Sequence, residues 1–321
     1  MLLKLATRNL KLALLLLAFY APSMAQDEIL NDSKNPRAIM IREATLYLAP
    51  DTTSSKLAVV PRGREVAILD TSRNFLKVLA SVSPTRDITG WIIDKGVVRT
   101  NTPNGDIILY GEAADSENEA SRRHGRKGAA QDARRLYYRM AEYFPKSPLA
   151  GEAFWRAADI DWQLNKEDVL SRNSSKEMDP VLRSKVEDEF MHQVEKKFPN
   201  TKWADQAAYE IIFNKLCGEW RALAKCPEKE TELYEDYVKK HPQSPKSGEA
   251  LYEAAWRQSA LIEIYKGNAD AAKSANAKAR AIAIASQIIA QYAQQGDWAQ
   301  RATRLIYMIE QGIPTYGSAS E

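Results

Sequence analysis

The residues of this chain that could carry out chemistry are two cysteines, three histidines and several groups of carboxylates. A cysteine peptidase needs a nucleophilic cysteine beside a histidine that acts as its base. Cys217 and Cys226 lie within a stretch of helical periodicity, and His192 and His241 lie at the ends of predicted helices. His124 lies in a predicted hinge. We therefore predict that these residues do not form a catalytic pair.

Metal and phosphate chemistry lack their sequence signatures. No histidines have the spacing of a zinc motif such as His-Glu-x-x-His, and neither a glycine-rich phosphate loop nor a Gly-x-Ser-x-Gly turn occurs. The carboxylates that cluster in sequence fall on polar helix positions, as expected of solvated helix faces: Glu187, Asp188, Glu189, Asp159 and Asp161. The sequence therefore predicts a protein that is not an enzyme and has no metal or cofactor.

The spacing of the two cysteines allows a geometric prediction. Nine residues along an unbroken helix would separate the Cα atoms of Cys217 and Cys226 by about 13.5 Å. A disulfide needs these atoms within about 7 Å of each other. A disulfide therefore requires the helix to end or bend near Gly218. The alternative is one buried thiol and one cysteine at a turn.

The N-terminus has the pattern of a secretory signal peptide, residues 1–25. Basic residues come before a short apolar run, Leu12 to Ala21, and small residues then predict cleavage between Ala25 and Gln26. The run is shorter than the roughly 18–20 residues of a membrane span, so a signal anchor is the weaker alternative. We expect a mature chain in the bacterial periplasm or outside the cell, where disulfides form. The net charge of +3, from residues of both signs, predicts no nucleic-acid partner, and no other segment could span a membrane.

Residues 36–100 predict a small all-β domain. Short runs of Ile, Val, Leu and aromatic residues alternate with Pro, Gly and Asn, as in the strands of a small β-barrel. The succession "LYLAP", "SSKLAVVPRGREVAIL", "FLKVLAS" and "GWIIDKGVV" resembles a bacterial-type SH3 domain. This resemblance implies a binding domain, commonly for cell-wall peptides or a neighbouring protein. The loop "LYLAPD" departs from the family's Asn-Val-Arg-x-Gly-Pro pattern, which favours a purely structural role.

Three aromatic residues of this domain are candidates for an SH3-like ligand groove: Tyr47, Phe75 and Trp91. The alternative is that they fill the core, because small barrels need large aromatic side chains there. Residues 101–128 then form a predicted connector. Its basic stretch, from Arg122 to Lys127, either contacts an anionic lipid or wall polymer or lies in a solvated hinge.

From residue 129 to residue 312 the apolar residues recur with a helical period. Three segments repeat one pattern around Pro145, Pro199 and Pro242, which lie 54 and 43 residues apart. A hydroxyl residue follows two positions later and predicts a helix N-cap. Alanine follows at eight positions and an aromatic residue at ten. These copies are Ser147, Ala153 and Trp155; Thr201, Ala207 and Tyr209; Ser244, Ala250 and Tyr252.

This pattern resembles the tetratricopeptide-like repeats of bacterial envelope proteins, such as the lipoprotein of the outer-membrane barrel-assembly machinery and the periplasmic partner of the Tol-Pal system. The resemblance implies an all-α helical solenoid after the SH3-like β-barrel. A looser fourth pair, near Trp298, is the expected terminal cap, and residues 313–321 are predicted to form a flexible tail.

The sequence therefore predicts a non-enzymatic adaptor or scaffold that binds a protein or peptide partner in the cell envelope. Tryptophan and arginine are enriched where binding energy is concentrated. The candidate partner-binding residues are Trp162, Trp220, Trp256, Arg156 and Arg257. The alternative for the tryptophans is packing between repeats. Alternative functions are a peptidoglycan-binding module and an accessory to, or an unrecognised form of, a cell-wall hydrolase.

Overall fold

The computed structural model describes residues 35–83 and 85–317. The predicted signal peptide and the last four residues of the predicted tail lie outside these ranges. The described residues divide into two compact units, with the boundary between Arg99 and Thr100.

The first unit is one antiparallel sheet of seven strands in the order β3-β2-β6-β5-β4-β1-β7. The strands are β1 (Arg37–Met40), β2 (Ala44–Tyr47), β3 (Lys56–Val60), β4 (Glu65–Ser72), β5 (Phe75–Ser83), β6 (Arg86–Ile93) and β7 (Val97–Val98). Alternate residues of β5, such as Leu76, Val78 and Ala80, are buried in its core. A Cβ atom on Gly90 would lie 2.7 Å from Leu46 Cγ, so glycine permits β2 and β6 to approach.

The second unit is helical. Its helices are α1 (Gly105–Ser121), α2 (Ala129–Tyr143), α3 (Ala150–Ser171), α4 (Glu189–Lys197), α5 (Lys202–Ile211), α6 (Lys225–Lys240), α7 (Ser247–Gly267), α8 (Ala271–Gln291) and α9 (Trp298–Glu310). Short 3₁₀ segments follow α3 at Asn173–Lys176 and α5 at Ile212–Lys215. Helix α1 lies within the segment predicted as a connector. None of the described helices is both long enough and apolar enough to cross a membrane.

The predicted fold, an SH3-like barrel followed by a tetratricopeptide-like solenoid, is wrong. The sheet is a curled half-barrel, and across residues 35–83 and 85–99 no pairing joins its outer strands β3 and β7. Alternating strand patterns predict strands, but they do not determine whether the first and last strands pair. The helices differ in length from 9 to 22 residues. Irregular segments between the helices account for the long spacing of the prolines. The described residues therefore do not form a regular series of equal helical pairs.

The turn at each repeated proline nevertheless has one recurring backbone geometry. The residues before the three prolines are Phe144 (φ −125°, ψ 58°), Phe198 (φ −127°, ψ 52°) and His241 (φ −128°, ψ 57°). A residue before proline avoids the helical region, because the proline ring clashes with it there. The sequence repeat therefore corresponds to a repeated turn.

The hydroxyl residues that follow the three prolines do not all have the same role. Thr201 caps α5, and its side chain accepts a hydrogen bond from the Ala204 amide. The Oγ atoms of Ser147 and Ser244 instead accept from the amide two residues later, at 3.3 Å and 3.1 Å. Because a second proline follows each of these serines, α3 and α7 begin three residues after the serine. The predicted N-cap is therefore found only at Thr201.

The recurring aromatic residues pack between neighbouring odd-numbered helices. In each case, the side chain ten positions after a repeated proline contacts a side chain at the start of the next odd-numbered helix. The pairs are Trp155 with Trp203 (5.4 Å between ring centroids), Tyr209 with Lys246 (5.1 Å from centroid to Nζ) and Tyr252 with Trp298 (5.4 Å). These contacts therefore link each odd-numbered helix from α3 to α7 with the start of the next odd-numbered helix.

Candidate functional site

The loop between the second 3₁₀ segment and α6 is closed by a disulfide between Cys217 and Cys226, whose Cα atoms lie 6.1 Å apart. The chain turns at Gly218, whose amide donates to the Glu177 carbonyl at 2.8 Å. A Cβ atom on Gly218 would lie 2.5 Å from the carbonyl carbon of Lys176. Glycine therefore lets the backbone segment at residues 176–177 pack directly against the loop.

Trp220 lies at the centre of this loop and is only 8% exposed. Its ring centroid is 5.2 Å from that of Trp256 on α7 and 5.5 Å from that of Tyr316, which follows α9. Three separate stretches of the chain thus bring three aromatic rings together. We call Trp220, Trp256, Tyr316, Arg257 and Glu230 the tryptophan site.

A buried ion pair, Arg257 with Glu230, lies beside the rings. Arg257 Nε donates to Glu230 Oε2 at 2.8 Å, and Arg257 NH1 donates to Glu253 Oε2 at 2.5 Å. The other oxygen of Glu230 accepts from the Cys217 amide at 2.8 Å and from Trp220 Nε1 at 3.2 Å. Glu230 therefore connects the disulfide loop to Arg257.

The electrostatics of the site keep Arg257 charged. Burial acts to lower the pKa of Arg257, but Tyr234, Glu230 and Glu253 raise it overall. Burial also raises the pKa of Tyr234, against the opposing charge of Arg257. The guanidinium carbon lies 5.8 Å from the centroid of Trp220, 5.7 Å from that of Trp256 and 4.6 Å from that of Tyr234. Cation–π attraction therefore adds to the packing of these rings.

The backbone beside Trp220 is strained. Arg221 and Ala222 have φ values of 50° and 57°, in the left-handed region that non-glycine residues seldom adopt. The Ala222 amide donates to the Tyr316 hydroxyl at 3.2 Å. Such strain persists where surrounding structure enforces it, and it concentrates at functional sites.

A pocket of about 550 Å³ opens beside the rings. It is lined by Trp220, Trp256, Tyr316, the loop residues around Cys217, and two charged residues of each sign, Arg221, Arg257, Glu219 and Glu230. Both cysteines are bonded to each other, so neither offers a thiolate. No cluster of His, Cys, Asp and Glu within the described ranges could hold a metal ion. The arrangement is suited to holding an aromatic side chain.

Three of the five predicted partner-binding residues, Trp220, Trp256 and Arg257, meet at this site. The structure places Arg156 elsewhere, with Nε 3.0 Å from Glu152 Oε1 and NH1 3.1 Å from Glu117 Oε2.

Trp162 is 1% exposed and packs edge-on against Phe213 at 6.4 Å between ring centroids. Its Nε1 is buried without a hydrogen-bond partner. This side chain is part of the interior of the helical unit.

The three candidate groove residues lie in the β unit. Tyr47 and Phe75 are buried, and their rings meet edge-on with centroids 6.4 Å apart. Trp91 is half-buried and pairs with Tyr47 across β2 and β6. Two of the three residues therefore contribute to the interior of the sheet.

Sequence reasoning missed Tyr316 and Glu230. Tyr316 fell in the predicted flexible tail, where a proline-threonine-tyrosine run among polar residues was the available signal. Glu230 carried no signal, because it is one of several acidic residues on a charged helix.

No protein-family model matches this chain, and no curated protein matches it. The geometry of the tryptophan site therefore carries the functional argument.

Proposed function

We propose that this chain is a non-enzymatic adaptor, exported to the periplasm or outside the cell, that binds a protein or peptide partner through the tryptophan site. One observation carries the proposal. Trp220 and the adjacent pair Trp256 and Arg257 come from distant parts of the sequence and converge, together with Tyr316, beside a pocket of about 550 Å³. Clustered tryptophan, tyrosine and arginine side chains are typical of binding hot spots.

The chemistry of the site supports binding rather than catalysis. The two buried charged groups of the site are occupied, since Glu230 accepts three hydrogen bonds and Arg257 bonds two carboxylates. A general base needs a free lone pair directed towards a substrate proton. These groups therefore act as a rigid support for the rings.

Export is supported by the basic and apolar pattern of residues 1–25 and by the disulfide. Disulfides persist in oxidising compartments and are rare in the cytosol of most cells. Mass spectrometry of the chain recovered from a fractionated host should find an N-terminus at Gln26 in the exported fraction. An unprocessed chain in the cytosol would contradict export.

Photo-cross-linking in cells tests partner binding. A photoreactive amino acid at Leu223, which is 49% exposed and three residues from Trp220, should give a discrete cross-linked species. The same amino acid at Ile289, exposed on α8 and outside the site, is the position control. We expect Trp256→Ala to abolish the Leu223 product.

Trp203→Ala is the matched control variant, because Trp203 is another half-buried tryptophan of the helical unit. We expect this variant to retain the Leu223 product. A product that survives Trp256→Ala, or the lack of any product at Leu223, would refute the proposed site.

A further inference from the structure

We infer that the other residues of the tryptophan site, Trp220, Trp256, Arg257 and Glu230, bind the aromatic side chain of a peptide segment, and that Tyr316 occupies the place of that side chain while the partner is absent. This inference rests on the proposed function, and it names both the chemistry of the ligand and an internal competitor.

The segment around Tyr316 lies on the site as a short peptide would. Helix α9 ends at Glu310, and Gly312, with a φ of 67°, turns the chain. The Ile313 amide closes the helix end by donating to the Met308 carbonyl at 2.8 Å. Thr315 then shares a hydrogen bond with Ser259 on α7, at 2.8 Å between the two oxygens. Tyr316 places its ring on Trp220 and its hydroxyl on the Ala222 amide.

These contacts come from a short segment. Beyond the turn at Gly312, the described part of the segment consists of Ile313, Pro314, Thr315, Tyr316 and Gly317, without regular secondary structure. Ile313 is 44% exposed, and Tyr316 is only half-buried. One ring contact with Trp220, two hydrogen bonds and the packing of Tyr316 against two apolar clusters hold the segment, so a peptide that reproduces these contacts can exchange with it.

The charges around the rings select a neutral aromatic group. Arg257 already lies within 6 Å of the Trp220 and Trp256 ring centroids, so a ligand cation would have to compete with it for these rings. Glu230 and Glu253 already neutralise Arg257, so an anion would gain little there. A ring that is neither a cation nor an anion avoids both disadvantages. Tyr316 is such a ring, and its hydroxyl also accepts from the Ala222 amide.

The test supplies this segment in trans to the full chain. A fluorescein-labelled peptide with the sequence of residues 311–317, QGIPTYG, is titrated with wild type and with Tyr316→Ala, and binding is measured by anisotropy. We expect the variant to bind about tenfold or more tightly than wild type, because the internal competitor has been removed. The peptide QGIPTAG should bind the variant at least about tenfold more weakly, since it lacks the ring.

Tyr307→Ala is the matched control, because Tyr307 is 58% exposed on α9 and lies outside the site. It should bind QGIPTYG as weakly as wild type does. Thermal unfolding checks that the variants fold. If Tyr316→Ala does not fold, Tyr316→Phe is used in its place. This variant loses the hydrogen bond with the Ala222 amide, and we expect it still to bind the peptide more tightly than wild type does.

Equal binding of QGIPTYG to wild type and to the folded Tyr316 variant would overturn the inference, as would equal binding of QGIPTYG and QGIPTAG. In that case, a cross-linked product at Leu223 that depends on Trp256 would leave the proposed function standing with a different ligand. Loss of that product as well would refute both.

Discussion

Arg257 Nε lies 2.8 Å from Glu230 Oε2, and the two side chains are only 7% and 2% exposed. Removing one partner of such a pair leaves an unpaired charge in the interior, which is far more costly than losing an ion pair at the surface. Because Glu230 also bonds Cys217 and Trp220, the pair connects the stability of the helical unit to the shape of the site.

Arg257→Ala should lower the free energy of unfolding by about 3–5 kcal/mol, because Glu230 is left buried without its cation. Urea unfolding of the purified chain measures this loss. Arg301→Ala removes an exposed pair with Asp297 and a contact with Trp298, and it should lower the free energy of unfolding far less than Arg257→Ala does. Similar losses in the two variants would contradict the role given to the buried pair.

The disulfide should contribute about 2.5 kcal/mol, the value expected for a closed loop of this length, since the bonded cysteines are nine residues apart. Cys217→Ser with Cys226→Ser should show that loss in urea unfolding. Dithiothreitol should destabilise wild type to the same extent and leave the double variant unchanged. A double variant as stable as oxidised wild type would show that the loop needs no covalent closure.

Gly218→Ala should destabilise the chain by about 1–3 kcal/mol, because the new methyl group overlaps the backbone of Lys176 and Glu177. Gly267→Ala is its matched control. Gly267 ends α7 with nothing within 4 Å of a new Cβ atom. Alanine there should be neutral or stabilise by up to about 1 kcal/mol. Thermal or urea unfolding of both variants distinguishes these outcomes, and equal effects would argue against close packing at Gly218.

Asp159→Asn should stabilise the chain at pH 7. Burial raises the pKa of the Asp159 carboxyl above its ordinary 3.8, although the hydrogen bond from Gln163 and the charges of Lys246 and Lys166 act to lower it. The folded state therefore binds more protons than the unfolded state between the two values, and the contribution of Asp159 to stability falls as the pH rises through that window. Asparagine carries no charge, so it removes the free-energy cost of burying the ionised carboxylate.

Unfolding free energies measured from pH 3 to pH 8 test this. The advantage of Asp159→Asn should shrink as the pH falls towards 3.8, the ordinary value. Asp236→Asn, an exposed carboxylate on α6 paired with Lys239, is the control and should change stability little at any pH. A gain for Asp159→Asn that is independent of pH would exclude the explanation by desolvation.

Local features of this fold could be predicted from the sequence. The spacing of the cysteines predicts a bend near Gly218 on the condition that they form a disulfide, because a straight helix would hold them too far apart. The recurring turn at Pro145, Pro199 and Pro242 follows from what proline forbids in the residue before it. These predictions concern a few consecutive residues, where bonded geometry and sterics decide.

Features that depend on distant contacts could not be predicted in this way. Whether β3 pairs with β7 depends on the curvature of the whole sheet, and this curvature cannot be predicted from the strand patterns. The local sequence does not show that Trp162 packs in the interior while Trp220 lies beside a pocket. Tyr316 enters the site only because the chain returns to α7 after α9.

The hydrogen bond from the Ala222 amide to the Tyr316 hydroxyl joins residues 94 positions apart, and this separation has a consequence for the order of folding. Local helices form first, while contacts between distant residues must first overcome the entropy of closing a long loop. During synthesis, every nascent chain shorter than 316 residues lacks the ring that covers Trp220. The tryptophan site therefore cannot be complete before residue 316 has been synthesised, and chains that stop before Tyr316 lack the ring that packs on Trp220.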